Sequence, residues 1–130
     1  MTQFPLPFGG RCLCGAIRFE CDAQPLWQGH CHCESCRRAT SSPITSFLGM
    51  ADGHWRWTGA APATYPSNPG VWRDFCATCG SQMTYRTTRF PGETHFYAAA
   101  LHDPTRFTPT RHFHAEEALA WLHLCDTLPR

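Results

Sequence analysis

Residues Gly10–Cys21 read GRCLCGAIRFEC, and this stretch carries both signals that decide the fold. Its second half alternates: Ile17, Phe19 and Cys21 fall on one side of an extended chain and Arg18 and Glu20 on the other, as in a half-buried strand. Its first half holds Cys12 and Cys14 as a C-x-C pair. Residues two apart in an extended segment share a face, so both sulfurs can turn toward one ion. A strand growing out of a loop of paired thiols predicts a small β fold stapled by metal.

Further along the chain the clustering recurs. Cys31, Cys33 and Cys36 form a C-x-C-x-x-C triplet, and Cys76 and Cys79 form a C-x-x-C pair followed by Gly80, which suits a tight turn aiming both thiolates inward. Only Cys21 and Cys125 stand alone, and both are expected as small core residues, Cys125 within an apolar stretch over 122–128. Nine cysteines would leave one thiol over from any closed disulfide framework. The opening MTQFPLPFGG lacks the basic start, apolar centre and small-residue cleavage site of a secretory signal. A cytoplasmic location is expected, and its reducing conditions disfavour structural disulfides. Seven clustered cysteines divide into a four-sulfur set and a three-sulfur set, for which zinc is the natural ion. A dithiol redox motif fits less well, because Cys79-Gly80 does not follow a strand-to-helix pattern. The short pairs also read more as zinc ligands than as iron–sulfur ligands.

The rest of the chain bounds the answer. A chain of 130 residues buries roughly two-thirds of its unfolded surface, enough for one core, so residues 1–130 are expected as a single domain. A net charge of +1 argues against a nucleic-acid binder, and no apolar run approaches the about 20 residues a membrane span needs. All eleven basic residues are arginine, which excludes a lysine Schiff base and a phosphate-loop lysine. Eleven prolines and ten glycines punctuate short strand candidates at Ala16–Cys21, Leu26–Gly29, Ile44–Gly49, His54–Trp57, Ala63–Tyr65, Trp72–Phe75, Gln82–Arg86, Thr94–Ala98 and Arg111–His114. A short C-terminal helix is expected over Glu116–Leu122, with two acids in its first turn, and a helical turn after Cys33. The fold class is therefore mainly β with metal-stapled loops. Metal bound only by the folded chain would add roughly 10 kcal/mol per structural site, comparable to a domain's whole net stability.

Longer motifs carry a family resemblance. Gly9-Gly10-Arg11-Cys12-Leu13-Cys14-Gly15-Ala16-Ile17, His30-Cys31-His32-Cys33-Glu34-Ser35-Cys36-Arg37 and Arg73-Asp74-Phe75-Cys76-Ala77-Thr78-Cys79-Gly80-Ser81 resemble, in order, the motifs of the glutathione-dependent formaldehyde-activating enzyme family, the CENP-V/GFA domain. Leu101-His102-Asp103-Pro104 resembles its "LDDP" element. Pro109, His112, Trp121 and Asp126-Thr127-Leu128-Pro129 fall where its C-terminal signature would put them. One departure is Ser41-Ser42, where similar sequences usually carry a Gly.

That resemblance implies a zinc-binding β-tent fold. It implies a structural zinc on Cys12, Cys14, Cys76 and Cys79, a clasp between the start and middle of the chain, and a second zinc on Cys31, Cys33 and Cys36. Four cysteines close a site, whereas three leave a position for water or substrate, the arrangement catalysis needs. The implied reaction is condensation of glutathione with formaldehyde to S-(hydroxymethyl)glutathione, a carbon–sulfur lyase chemistry with small-molecule partners. A proton for the new alkoxide would come from water or a histidine, with His30, His32, His112 and His114 as candidates. Glutathione's carboxylates call for planar bidentate donors, and Arg37 and Arg73, beside the clusters, are the candidates. Trp55, Trp57 and Trp72 are expected in the core more than around a pocket, and His54, His95, His102 and His123 as ordinary residues. Two other classes stay open: a zinc-stabilised binding module without turnover, and a redox or metal-handling thiol protein.

Overall fold

A computed structural model describes residues 3–130. Ten short strands make two sheets. The smaller, in the order β1-β2-β5, joins β1 (Phe8–Arg11), β2 (Arg18–Cys21) and β5 (Trp55–Trp57). The larger runs β10-β3-β4-β9-β8-β7-β6. It contains β3 (Trp27–Cys31), β4 (Thr45–Ala51), β6 (Ala63–Asn68), β7 (Val71–Phe75), β8 (Gln82–Thr87), β9 (Glu93–Tyr97) and β10 (His112–Phe113). Every pairing is antiparallel except that of β10 with β3. The one α-helix among the described residues, α1 (Glu34–Thr40), follows Cys33 directly. No described helix is long and apolar enough to cross a membrane.

The alternation of side chains gives the larger sheet two unlike faces. Leu48 and Met50 of β4 and Phe96 of β9 point toward the smaller sheet and are completely buried. There Phe96 meets Phe19 of β2 (ring centroids 4.5 Å apart) and Trp55 of β5 (5.1 Å). Cys21 is fully buried in this core, and Trp55 and Trp57 pack against it, as expected. The opposite face carries the odd-numbered partners of those strands. Phe47, Tyr97, Cys31 and Cys36 form a second buried cluster edged by Trp27, Tyr85 and Phe113.

Helix α1 is short but well terminated. Cys33 is its N-cap, its sulfur accepting from the Cys36 N–H at 3.3 Å, and Glu34 and Arg38 pair one turn apart at 2.8 Å. It ends at Ser41, which is left-handed (φ 57°, ψ 27°). That conformation is what glycine supplies without strain at a helix end, so it accounts for the Gly that the family resemblance puts here.

Two expectations about the C-terminus change. The helix over Glu116–Leu122 reduces to one 3-10 turn, Ala115–Glu117, because Ala118 is already extended (φ −61°, ψ 142°). From there the tail doubles back, and Pro129 O accepts from the His112 N–H at 2.8 Å, a bond no continuing helix could make. Cys125 lies on this irregular tail and is exposed, not core.

Candidate metal centre

Loops build the first cluster. Cys12 and Cys14 lie in the loop between β1 and β2, and Cys76 and Cys79 in the turn between β7 and β8. Gly80, with φ 81°, lets that turn close, and its N–H reaches Cys76 O at 2.8 Å. Ser81 Oγ, accepting from the Leu13 N–H at 3.0 Å, ties the two loops together. The four sulfurs lie within 4.8 Å of one another. Tetrahedral thiolates about 2.3 Å from an ion stand about 3.8 Å apart; Cys12 and Cys14 sulfurs are 3.6 Å apart and those of Cys14 and Cys76 3.8 Å. Backbone N–H groups of Ile17 and Cys79 point at the sulfurs of Cys12 (3.3 Å) and Cys76 (3.4 Å), donors that favour thiolate. The Ser81 hydroxyl and neighbouring N–H groups pull the Cys79 thiol down to about 5. All nine cysteines are free thiols, so the four-sulfur set fits a soft tetrahedral ion.

The second cluster is local. Cys31 ends β3, Cys33 caps α1 and Cys36 lies in its first turn, so three ligand atoms within 4.8 Å of one another come from six consecutive residues. The neighbouring Cys31 and Cys36 thiols, together with the Cys36 N–H at 3.3 Å, hold the Cys33 thiol well below its ordinary value. Cys31, hydrogen-bonded to both neighbours and buried, is pushed up.

Around the triplet stand residues with unspent donors. Arg73, 4% exposed, directs both terminal nitrogens at Cys36 sulfur (3.8 and 3.9 Å) and lies over the Tyr85 ring at 4.9 Å. It has no carboxylate partner among the described residues. Tyr97 packs against Cys31 and Cys36, and its buried hydroxyl has no hydrogen-bond partner. Burial first, then the Cys36 sulfur, pushes its phenol up, so it keeps its proton. Arg37, half-buried, uses only its Nε, on His32 O at 3.3 Å.

Between the Cys12 loop and helix α1 opens a cavity of about 730 Å3, within the range of small-ligand pockets; of the clustered cysteines only Cys12 lines it. Cys12 and Ser81 stand on one wall, Ala39 and Thr40 of α1 on another, with Tyr97, Gln82 and His102 also lining it. Tyr97 and Gln82 escaped the sequence reading, and His102, expected to be an ordinary residue, lines the cavity instead. A tyrosine or glutamine on an alternating strand carries no motif, and His102 lay inside a motif read only for its family match.

Most of the histidines lie elsewhere. Strand alternation turns His30 and His32 away from Cys31: His30 Nδ1 meets Ser46 Oγ at 2.9 Å and His32 Nε2 meets His112 Nδ1 at 2.8 Å. His112 Nε2 in turn meets Asp126 at 3.0 Å. Asp126 can only accept, so His112 donates through Nε2, and His32 donates to His112 Nδ1. Of the four proton candidates, His114 lies near enough to Cys33 to help lower its thiol value. It sits at a left-handed φ of 54°, and Glu117 beside it accepts from the first N–H of α1 (Glu34, 3.0 Å). Trp72 lies under the Arg86 guanidinium at 5.4 Å, away from the cavity lining.

The family profile described as "Glutathione-dependent formaldehyde-activating enzyme" matches residues 7–117. No curated protein matches the chain. A crystal structure of a Rhodobacter sphaeroides protein shares the fold with a TM-score of 0.61 at 23% identity, over 72% of this chain and 87% of that one.

Proposed function

The chain belongs to the glutathione-dependent formaldehyde-activating enzyme family, and from that footing we propose that it adds the thiol of glutathione to formaldehyde, giving S-(hydroxymethyl)glutathione. The sulfur–carbon bond forms as the carbonyl π bond opens, and the thiol's proton ends on the new hydroxyl oxygen. In reverse the same step breaks a carbon–sulfur bond, which makes the chemistry that of a lyase. The observation that carries this reading is the contrast between the clusters: four sulfurs that fill a tetrahedron, and three that fall one ligand short of it.

Cys12, Cys14, Cys76 and Cys79 would hold a structural zinc, and Cys31, Cys33 and Cys36 a second zinc. When bound at the triplet, zinc would supply a Lewis acid and favour the thiolate form of a substrate thiol. The protein's own residues do the rest. Buried Arg73 supplies the positive charge that a cluster of thiolates needs nearby. Arg37, with its terminal nitrogens unused by the protein, would receive a glutathione carboxylate. The apolar cluster of Phe47, Phe113 and Trp27 excludes water from the sulfurs. Unpaired thiols of this kind suit the reducing cytoplasm.

Glutathione and formaldehyde combine unaided, so the decisive measurement is their exchange with the adduct above the uncatalysed rate, with elemental analysis of the same sample. Two zinc ions per chain and accelerated exchange that Cys33→Ser abolishes are expected. Equal rates with wild type, Cys33→Ser and buffer would refute turnover and leave a zinc-stabilised binding module.

A further inference from the structure

Two buried donors beside the triplet lack an acceptor of full strength among the described residues. Leaving a buried polar group unpaired costs about 1–3 kcal/mol, and native proteins rarely accept that without return. The Tyr97 hydroxyl is enclosed and its O–H finds no acceptor, its polar neighbour, the Arg73 guanidinium, being itself a donor. The Arg73 guanidinium, 4% exposed, has only the long contacts of 3.8 and 3.9 Å to Cys36 sulfur and the Tyr85 ring for company. Both lie against Cys36, and Tyr97 also lines the cavity. Their strands place them together: Arg73 faces Tyr85 across β7–β8, Tyr85 faces His95 across β8–β9, and Tyr97 lies two residues along the same face.

We propose that the Tyr97 hydroxyl and the Arg73 guanidinium form an oxyanion pocket, binding the formaldehyde oxygen as it gains negative charge. The inference rests on the thiol–aldehyde reading above. As the thiolate sulfur bonds to the carbonyl carbon, the π electron pair moves onto oxygen, and that oxygen accepts from Tyr97 Oη–H and an Arg73 N–H. Both donors are already placed and dry, so they gain most in the charged transition state. The alkoxide then takes one proton from water to give the hydroxymethyl product.

The test uses the zinc-loaded protein and two independent readouts. In the first, Tyr97→Phe should slow adduct exchange at saturating glutathione about 100-fold, the size of losing one oxyanion donor, with zinc content and glutathione affinity unchanged. Arg73→Lys, which keeps the charge but loses the planar fork, should fall between Tyr97→Phe and wild type. The second is calorimetric: wild type should bind the S-formyl thioester of glutathione at least about tenfold tighter than the S-ethyl thioether, which lacks the oxygen, and Tyr97→Phe should lose that preference. A Tyr97→Phe protein with wild-type exchange or an intact preference overturns the pocket, as does a rate loss that comes with lost zinc. If wild type itself fails to accelerate exchange, the enzymatic reading falls, while the binding comparison still decides whether these donors hold an oxygen.

Discussion

Asp74 stands on β7 between the two centres, next to Arg73 and two residues before Cys76, and Asp74→Asn tests what holds that strand. The carboxylate is 6% exposed. It accepts from Thr64 Oγ1 at 2.6 Å, Thr84 Oγ1 at 2.7 Å, and Arg86 Nε and a terminal nitrogen at 2.8 and 2.9 Å. An amide replaces one acceptor oxygen by a donor. The threonine hydroxyls can rotate and accept instead, but an arginine N–H cannot, so one Arg86 bond is lost. A hydrogen bond to a charged group contributes about 1.5–3 kcal/mol, and the surviving Arg86 bond weakens by about 1 kcal/mol once its acceptor is neutral. Arg86 is 37% exposed and can turn toward water, which reduces the total to about 2–3 kcal/mol. With an unfolding entropy of about 2.1 cal/mol/K per residue, Tm should fall by about 7–11 °C at fixed free zinc.

The pH dependence follows from the same contacts. Burial would raise the Asp74 carboxyl, but the bonds from Arg86, Thr64 and Thr84 outweigh it and hold the group below its ordinary value. A depressed carboxyl contributes fully above its unfolded value of about 3.9 and loses that contribution as pH falls through the folded value. Urea denaturation should therefore show the same gap between wild type and Asp74→Asn from about pH 8 down to about pH 5. A gap under about 0.5 kcal/mol, the scale of an ordinary surface substitution, or one that shrinks across that range, would refute this account.

Three further outcomes are expected. Ser41→Gly relieves the left-handed φ of 57° and should raise stability by about 0.5–1 kcal/mol, read as a Tm higher by about 2–4 °C; an unchanged or lower Tm would contradict the strain. His95 is held below its usual value, chiefly by burial and against the pull of Glu93. Its contribution is complete above about pH 6.5 and lost as pH falls, so the urea midpoint of wild type should drop more steeply between about pH 7 and about pH 5.5 than that of His95→Phe; equal slopes would sink the assignment. In Gly49→Ala the new methyl would collide with Trp27 Nε1 and push that ring off Glu93, which it reaches at 2.8 Å. A loss of about 1–3 kcal/mol with a red-shifted tryptophan emission should result, and unchanged emission would show that the ring does not lie there.

How much could be read from sequence depended on whether a signal was local. Strands with clean alternation, such as Ala16–Cys21 and Gln82–Arg86, lie within a residue or two of where they are observed, and the turn after Cys33 is α1. β1 went unread because Gly9 and Gly10 look like a turn. Both are glycine for closeness: an added methyl would collide with Phe19 O or with Ala100 O, and approach by a neighbouring backbone leaves no mark in one sequence. The cysteine groupings were legible from spacing, whereas the union of Cys12 and Cys14 with Cys76 and Cys79 needed the family resemblance. The acids at Glu116 and Glu117 were read as a helix start, but Glu117 serves a different helix, the N-terminus of α1, across a gap of 83 positions. The same limit hid Tyr97 and Arg73 as a pair, since only the β7–β8–β9 register brings them to one sulfur.

The two cysteine clusters also differ in when a growing chain can make them. The triplet is complete once residue 36 has left the ribosome, because its sulfurs need only a strand end and one helical turn. The four-sulfur cluster must wait for Cys79, and β10, which flanks β3 at the sheet edge, comes only at residues 112–113. For most of synthesis the chain thus displays a soft, exposed trio of thiols before the walls around it exist. Newly made protein would therefore be open to the wrong metal or to oxidation at that trio, and cells growing with scarce zinc should accumulate damage there first.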